Sequence, residues 1–479
     1  MNAPSLVWFR PGDLRLADNP ALQAANAEQN AVIPFFASSV IQQLGAASRW
    51  WLHESLSALS RDLAQHGSRL ILRIGSSPED IVRALVTETG ARSLFWNRGY
   101  TPLEQRDEAS LTALGLRTCA FNARLLVDPL SIRREDGETF HVFSAFWRRA
   151  QDHIEAEPPG ASPARIVAPP TWPMSAPLQA FKLLPRPDWA RGLRAAWTPG
   201  EDGARRTLEA FTGPSLAGYA QRRNIPSIEG TSRLSPHVHF GETSPRQVWW
   251  GVQRAQTKSA DAFRRELGWR EYAAYLLFQH PELARHSLDT AFDSIDWRDD
   301  ETDLAAWQQG RTGYPLVDAG MRQLWATGWM HNRVRMVVAS FLVKDLLLPW
   351  QVGADWFLDT LVDADLANNT LGWQWAAGAG ADAAPFPRVF NPTLQAQRFD
   401  PHGDYIRRYV PELARLPAPY VLQPWTTSPT ILTEAGVRLG ENYPRPIVDH
   451  ALARQRALRS FGATRSARPE PRRRTGKRL

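Results

Sequence analysis

Four short stretches of this chain combine residue types that can do chemistry. In RRELGWREY (264–272), Glu266, Trp269 and Arg270 are three and four residues apart, hence on one face of a helix. A carboxylate beside an indole can hold a heteroaromatic base, the acid by hydrogen bonds and the ring by stacking. An amphipathic helix with a surface ion pair uses the same residues. GTSRLSPHVHFG (230–241) gathers Thr231, Ser232, Arg233 and Ser235 ahead of a proline. Hydroxyls, backbone N–H groups and an arginine in a turn can cradle a phosphate, and Ser or Thr can equally cap a helix start. His237 and His239 lack a third ligand at supporting spacing, so no metal is assigned. In WMHNRVRM (329–336), Asn332 and Met336 share a face, Arg335 is adjacent, and Arg333 lies about a third of a turn away. Those arginines suit phosphates, a buried carboxylate or a plain basic face.

The fourth stretch, DADLANNTLGWQW (363–375), gives the sharpest geometry. In a helix over 368–378, Asn369 and Trp373 share a face, while Trp373 and Trp375 point to opposite sides, roughly 200° apart. One apolar stripe cannot use both indoles, so they line different surroundings. Asp363 and Asp365 precede this helix, where the dipole favours acids and capping is the plain role.

Elements must position these groups. The first 130 residues alternate β-rich runs (6–9, 32–37, 69–75, 93–97 and 117–122) with helical patterns such as 49–67. This predicts a Rossmann-like α/β domain over 1–130, with a parallel five-stranded sheet covered by helices. No GxGxxG follows the first strand, so the usual dinucleotide fingerprint is missing. Residues 131–200 read as an interdomain linker, proline-rich from 156, with ten prolines between Pro158 and Pro199. From 201 to 462 the periodicity is helical, with runs at 203–213, 245–256, 260–280, 316–328 and 332–348, and predicts an all-α domain. Residues 463–479 form a basic tail expected to be disordered.

Composition narrows the function classes. No apolar run of about eighteen residues suggests a membrane span, and the N-terminus lacks signal-peptide order, so a cytoplasmic protein is expected. A single cysteine, Cys119, excludes an internal disulfide and a Cys-ligated iron–sulfur cluster. The net charge of +7 is concentrated at the end of the chain: seven basic residues from Arg465 onward face only Glu470. A nucleic-acid surface on the body must therefore be a local patch. Twenty tryptophans raise the question of stacking or electron transfer beyond core filling.

The motifs in order (LVWFRPGDLRLADNPAL, GTSRLS, WREY, AWQQGRTGYPLVDAGMRQL, GWMHNRVRM, KDLLLPW and LANNTLGWQWAAG) resemble the DNA photolyase and cryptochrome family over nearly the whole chain. They look most like bacterial class I cyclobutane pyrimidine dimer photolyases. The resemblance implies an α/β antenna domain, a long linker and an all-α FAD-binding catalytic domain in a monomer that acts on DNA. It implies that Tyr219, Thr231, Ser232, Arg233, Leu234 and Ser235 hold the FAD phosphates and ribityl chain. It places Asn369 at the flavin N5, and Arg335 paired with Asp363 beside the ring with Asp365 nearby. Trp269 and Trp375 would flank a flipped-out dimer, Glu266 and Asn332 would hydrogen-bond it, and Met336 would pack on it. Arg223 and Arg333 would lie at the DNA rim. Trp373, Trp350 and Trp307 match the tryptophan chain that carries electrons inward from the surface. The expected activity is light-dependent repair of cyclobutane pyrimidine dimers by an electron from excited reduced FAD. The alternatives are a blue-light photoreceptor and a DNA-binding module with a structural flavin. (6-4) photolyases carry His at the positions of Asn332 and Met336, and cryptochromes commonly change that of Asn369, so all three residues fit dimer repair. The antenna region departs from the pattern: FRPGDLRL is one residue longer and NRGYTPLEQRD one shorter. Of the residues that bind folate in relatives, only Glu104 has a counterpart. A second chromophore, methenyltetrahydrofolate or a deazaflavin, is left open.

Overall fold

The computed structural model describes residues 3–155, 157–253, 255–383 and 388–466. Five short β-rich runs become five parallel strands, β1 Ser5–Phe9, β2 Val32–Ala37, β3 Ile71–Arg73, β4 Ser93–Asn97 and β5 Arg117–Phe121. Their order is β3-β2-β1-β4-β5. In register, Leu6 lies beside Ile33 and Leu94, and Trp8 beside Phe35 and Trp96. Alternation sends these side chains to one face, where they meet Ile81, Val82, Leu85 and Leu111. Val7 and Phe9 point to the other face and pack with Leu22, Trp50, Trp51 and Leu56. Both faces are covered, as a parallel sheet requires.

The covering helices are α1 Pro20–Ala27, α2 Ala46–Gln65, α3 Pro78–Thr89 and α4 Pro102–Thr112. Their starts follow local rules. Asn19, Ser77 and Thr101 cap α1, α3 and α4, each ahead of a proline in the first turn. Gly90, at φ +68°, closes α3.

Next come α5 Phe143–Gln151, α6 Arg191–Ala196, α7 Glu201–Ala210, α8 Tyr219–Arg222, α9 Ser235–Phe240, α10 Pro245–Gln253, α11 Lys258–Gln279 and α12 Glu301–Gln308. They are followed by α13 Pro315–Thr327, α14 Asn332–Ser340, α15 Trp350–Thr360, α16 Leu366–Ala377, α17 Pro392–Phe399, α18 Asp404–Tyr409, α19 Pro429–Ala435 and α20 His450–Ser466. Among the described residues after 201, the one β pairing is the isolated Leu439–Tyr443 bridge.

Three expectations are corrected. The stretch assigned to the linker contains α5 and α6. α5 buries Phe143, Phe146, Trp147 and Ala150, a spacing of three, four and seven that marks one helical face. The helix expected over 332–348 ends at Ser340 and passes into a π-turn, Phe341–Asp345. α20 runs four residues beyond the boundary at 462; the rest of the basic tail, 467–479, lies outside the described residues.

The chain forms two compact units. The first comprises Met1–Ala284, Gly320–Arg333 and Ala354–Thr370, and the second Arg285–Ala319, Val334–Gly353 and Leu371–Leu479. Contacts thus interleave segments that composition had placed in sequence. Among the described residues, no helix is long and apolar enough to cross a membrane.

Candidate functional site

In the first unit, α11 carries the carboxylate–indole pair. Thr257 caps its start by accepting from Ala260 N–H, and the helix then runs twenty-two residues. Glu266 and Trp269 are both half-buried. The Glu266 carboxylate pairs with the Arg223 guanidinium at the end of α8, which also lies 5.3 Å from the centroid of the Tyr219 ring. Burial would lower the pKa of Arg223; its hydrogen bond to Glu266 outweighs this and raises it. Trp269 stacks on Phe143 of α5, with ring centroids 3.8 Å apart and planes 9° apart. Arg270, expected on the same face, turns elsewhere: its Nη1 donates to the Arg124 carbonyl at 2.8 Å and meets Glu271 Oε1 at 3.3 Å.

The 231–235 loop leads into α9. No side chain caps that helix, so its Ser and Thr are not there as caps. Arg233 adopts a left-handed backbone, φ +57°, and its guanidinium lies 4.0 Å from the Trp197 ring centroid and 4.5 Å from that of Trp329. Stacking fixes the guanidinium plane, while its N–H groups point along the plane edge. Ser232 Oγ accepts from Leu234 N–H at 3.4 Å, and Ser235 Oγ from Trp329 Nε1 at 3.3 Å. Tyr219 is buried against Phe211 and Phe263. His237 Nδ1 meets buried Glu242 Oε2 at 2.5 Å. No group of potential metal ligands occurs among the described residues.

The segment 363–370 also belongs to the first unit. Asp365 Oδ1 accepts from Asn368 N–H at 2.8 Å and Asn368 Nδ2 at 2.6 Å, so Asp365 caps α16 and Asn368 serves helix entry. Its Oδ2 lies 3.8 Å from His239 Nδ1. Burial would raise the Asp365 pKa; the neighbouring His239, with the charge of Arg270 and the Asn368 N–H, outweighs this and holds the carboxyl well below the ordinary range. Asn369 Nδ2 donates to the Ala354 carbonyl at 2.9 Å, which leaves Oδ1 as the amide end suited to accept from a ligand. Asp363 is half-buried. Asn332 is exposed at the start of α14, and Arg333 donates from Nη2 to Asn224 Oδ1 at 2.9 Å.

The second unit holds the other tryptophans singled out by sequence. Trp373 and Trp307 are 2% and 0% exposed and meet edge to face, with ring centroids 6.1 Å apart. Gly353 admits Trp373; a Cβ there would stand 2.1 Å from its Cη2. Trp307 Nε1 donates to the Val338 carbonyl at 3.1 Å, and Trp350 is likewise buried. Trp307 thus offers no solvent-exposed surface of its own. Trp297, which sequence reasoning passed over, is half-buried and edge-on to Phe461 at 5.8 Å. Trp375 is half-buried, 6.4 Å from Phe390 and with Arg388 5.7 Å over its ring. The opposed exposure of Trp373 and Trp375 matches their helical spacing. Arg335 and Met336 are half-buried in this unit.

Family models match both halves of the chain. Residues 5–164 match that of DNA photolyase, and residues 263–463 match the FAD binding domain of DNA photolyase. The chain is 47% identical over 97% of its length to the deoxyribodipyrimidine photo-lyase of Agrobacterium fabrum, of which it covers 98%. The chain belongs to the DNA photolyase family. Other members span activities by name: it is also 40% identical over 94% of its length to cryptochrome-1 of Arabidopsis thaliana, covering 69% of that protein. A crystal structure of a bacterial class III photolyase from Agrobacterium tumefaciens superposes with a TM-score of 0.93 at 46% identity, covering 97% of this chain and 98% of that one.

Photolyase-family membership assigns FAD as the cofactor, and the residues fit it. The 231–235 loop offers hydroxyls not spent on a helix start, and Asn369 offers a tethered amide. Glu104 is engaged within the chain. Its carboxylate completes the capping box of α4 with Thr101 and pairs with Arg124. Burial would raise its pKa, but Arg124 and Arg10 lower it to about 2.

Proposed function

We propose that this chain repairs cyclobutane pyrimidine dimers in DNA under blue light. The observation that carries this reading is the α11 surface, where a half-buried carboxylate and a flat indole stand three residues apart. When bound, reduced FAD would supply the excited electron that a cyclobutane ring needs in order to open. The chain's own residues bind and orient. Trp269 receives a base of the extruded lesion on its open face, and stacking returns about 1–3 kcal/mol per base against the cost of flipping. Glu266, held by Arg223, accepts hydrogen bonds from pyrimidine N–H groups. Asn332, exposed at the start of α14, hydrogen-bonds the lesion, and Trp375 and Met336 supply apolar contact. Arg223 and Arg333 serve phosphates at the rim, although both already have protein partners.

Tyr219 and residues 231–235 hold the phosphates and ribityl chain of FAD in this reading, and Asn369, Arg335, Asp363 and Asp365 surround its ring. Trp373, Trp350 and Trp307 remain assigned to electron transfer toward it. The motifs resemble those of class I, whereas the superposing crystal structure is that of a class III photolyase.

A photoreceptor needs the flavin surroundings but not the lesion contacts. Glu266→Ala therefore separates the two readings. Dimer reversal by the prereduced variant should fall roughly tenfold to a hundredfold, the worth of a charged hydrogen bond, with FAD content unchanged. Undiminished reversal would remove Glu266 from the reading.

A further inference from the structure

Gly268 sits inside α11, where glycine costs about 1 kcal/mol relative to alanine. Packing accounts for it: a Cβ at this position would stand 2.6 Å from Cδ2 of Trp147. The glycine lets α5 lie directly on α11. That approach brings Phe143 face to face with the next residue, Trp269, at 3.8 Å. Trp147 continues the stack behind Phe143, with centroids 6.4 Å apart and planes 12° apart. Phe143 is 1% exposed, whereas Trp269 remains half-buried. Tyr272 meets Trp269 edge-on at 6.0 Å, and Arg265 lies 5.2 Å from the Phe143 ring centroid.

We propose that Phe143 is a positioning residue for lesion binding, holding the Trp269 indole in one plane with one face open; this rests on the dimer-repair reading of Trp269. Rotation of the indole about χ2 would drive its edge into the Phe143 ring, so the stack selects one orientation before any ligand arrives. A base then meets a surface that is already ordered, which lowers the entropy cost of binding. The supporting helix comes from the stretch that composition assigned to the linker, so this part of the chain shapes the site as well as connecting it.

The test is a double-mutant cycle on the FAD-loaded protein. Dissociation constants are measured for one oligonucleotide carrying a single thymine dimer and for its undamaged counterpart. The proteins are wild type, Phe143→Leu, Trp269→Ala and the double variant, with flavin absorbance and melting temperature alongside. Leucine keeps an apolar side chain but has no flat face. Expected is a roughly threefold to tenfold loss of dimer affinity in F143L, the range of one aromatic pair, with undamaged-DNA affinity and the rate of repair of bound dimer retained. In the W269A background, F143L should add nothing. An equal loss from F143L with and without Trp269, or no loss at all, overturns the proposal. Equal affinity of the wild-type protein for both oligonucleotides overturns the lesion reading itself, and the proposal with it.

Discussion

One tryptophan cluster in each unit is built in the opposite way to the other. In the first, Trp269 is half-buried and stacked face to face on Phe143, beside a carboxylate held by an arginine. In the second, Trp373 and Trp307 are closed off from solvent and meet edge to face, and the indole N–H of Trp307 is spent on a backbone carbonyl. An indole with one face stacked and part of its surface still accessible can receive another ring. Two indoles locked together without water are arranged to keep a fixed separation, which suits passage of an electron and excludes a ligand. Tryptophan count alone therefore says little about role; the geometry of each neighbour decides it.

Exchanging the damage between the two sets gives the largest expected effects. Trp373→Phe should bring photoreduction of oxidised FAD close to background while prereduced protein still repairs dimers. Trp269→Ala should do the reverse, weakening dimer binding roughly fivefold to a hundredfold with photoreduction intact. Flavin absorbance under blue light and oligonucleotide binding read the two arms; if either variant loses both activities, the division fails.

A pH effect is expected close to the first unit's indole. Glu271, two residues beyond Trp269, accepts from Val127 N–H at 3.2 Å and meets Arg270. Burial outweighs these partners and raises its pKa to about 7. The folded chain thus holds this proton more tightly than the unfolded one. The resulting stability is fully present below about pH 4.5 and is lost as pH rises toward 7. Glu271→Gln, neutral throughout, should gain about 1–3 kcal/mol over wild type at pH 8 and little at pH 5, as read by denaturant melts. A gain independent of pH would contradict this assignment.

Smaller effects sharpen each side. Gly268→Ala should cost about 1–2 kcal/mol, since overpacking against Trp147 exceeds the gain in helix propensity; a more stable protein in thermal melts would mean that α5 shifts freely. Within the second unit, Trp297→Phe should slow photoreduction more than Trp307→Phe, because only Trp297 keeps solvent-accessible surface. The opposite ranking would restore Trp307 as the entry point.

Much of this was legible in the sequence where the signal is local. The five β-rich runs became the five strands, trimmed most at β3, and the four-residue spacing of Asn369 and Trp373 held within α16. α5 was also legible, since Phe143, Phe146, Trp147 and Ala150 trace one face; the prolines that follow drew attention away from it. Asp365 is a cap after all, as an acid before a helix ordinarily is, and it faces His239 as well. Other features depend on residues distant in sequence. Nothing near Arg233 announces that Trp197 and Trp329 will both lie against it. Nothing in AWQQG says that Trp307 will be sealed, and nothing near Glu104 announces its pairing with Arg124.

The most direct measurement is reversal of a thymine dimer in a defined oligonucleotide by the prereduced, FAD-loaded protein, followed by the recovery of thymine absorbance under blue light and in darkness. The account predicts full, catalytic recovery in the light and none in the dark. A dimer that binds and stays intact under light would contradict it and favour a photoreceptor.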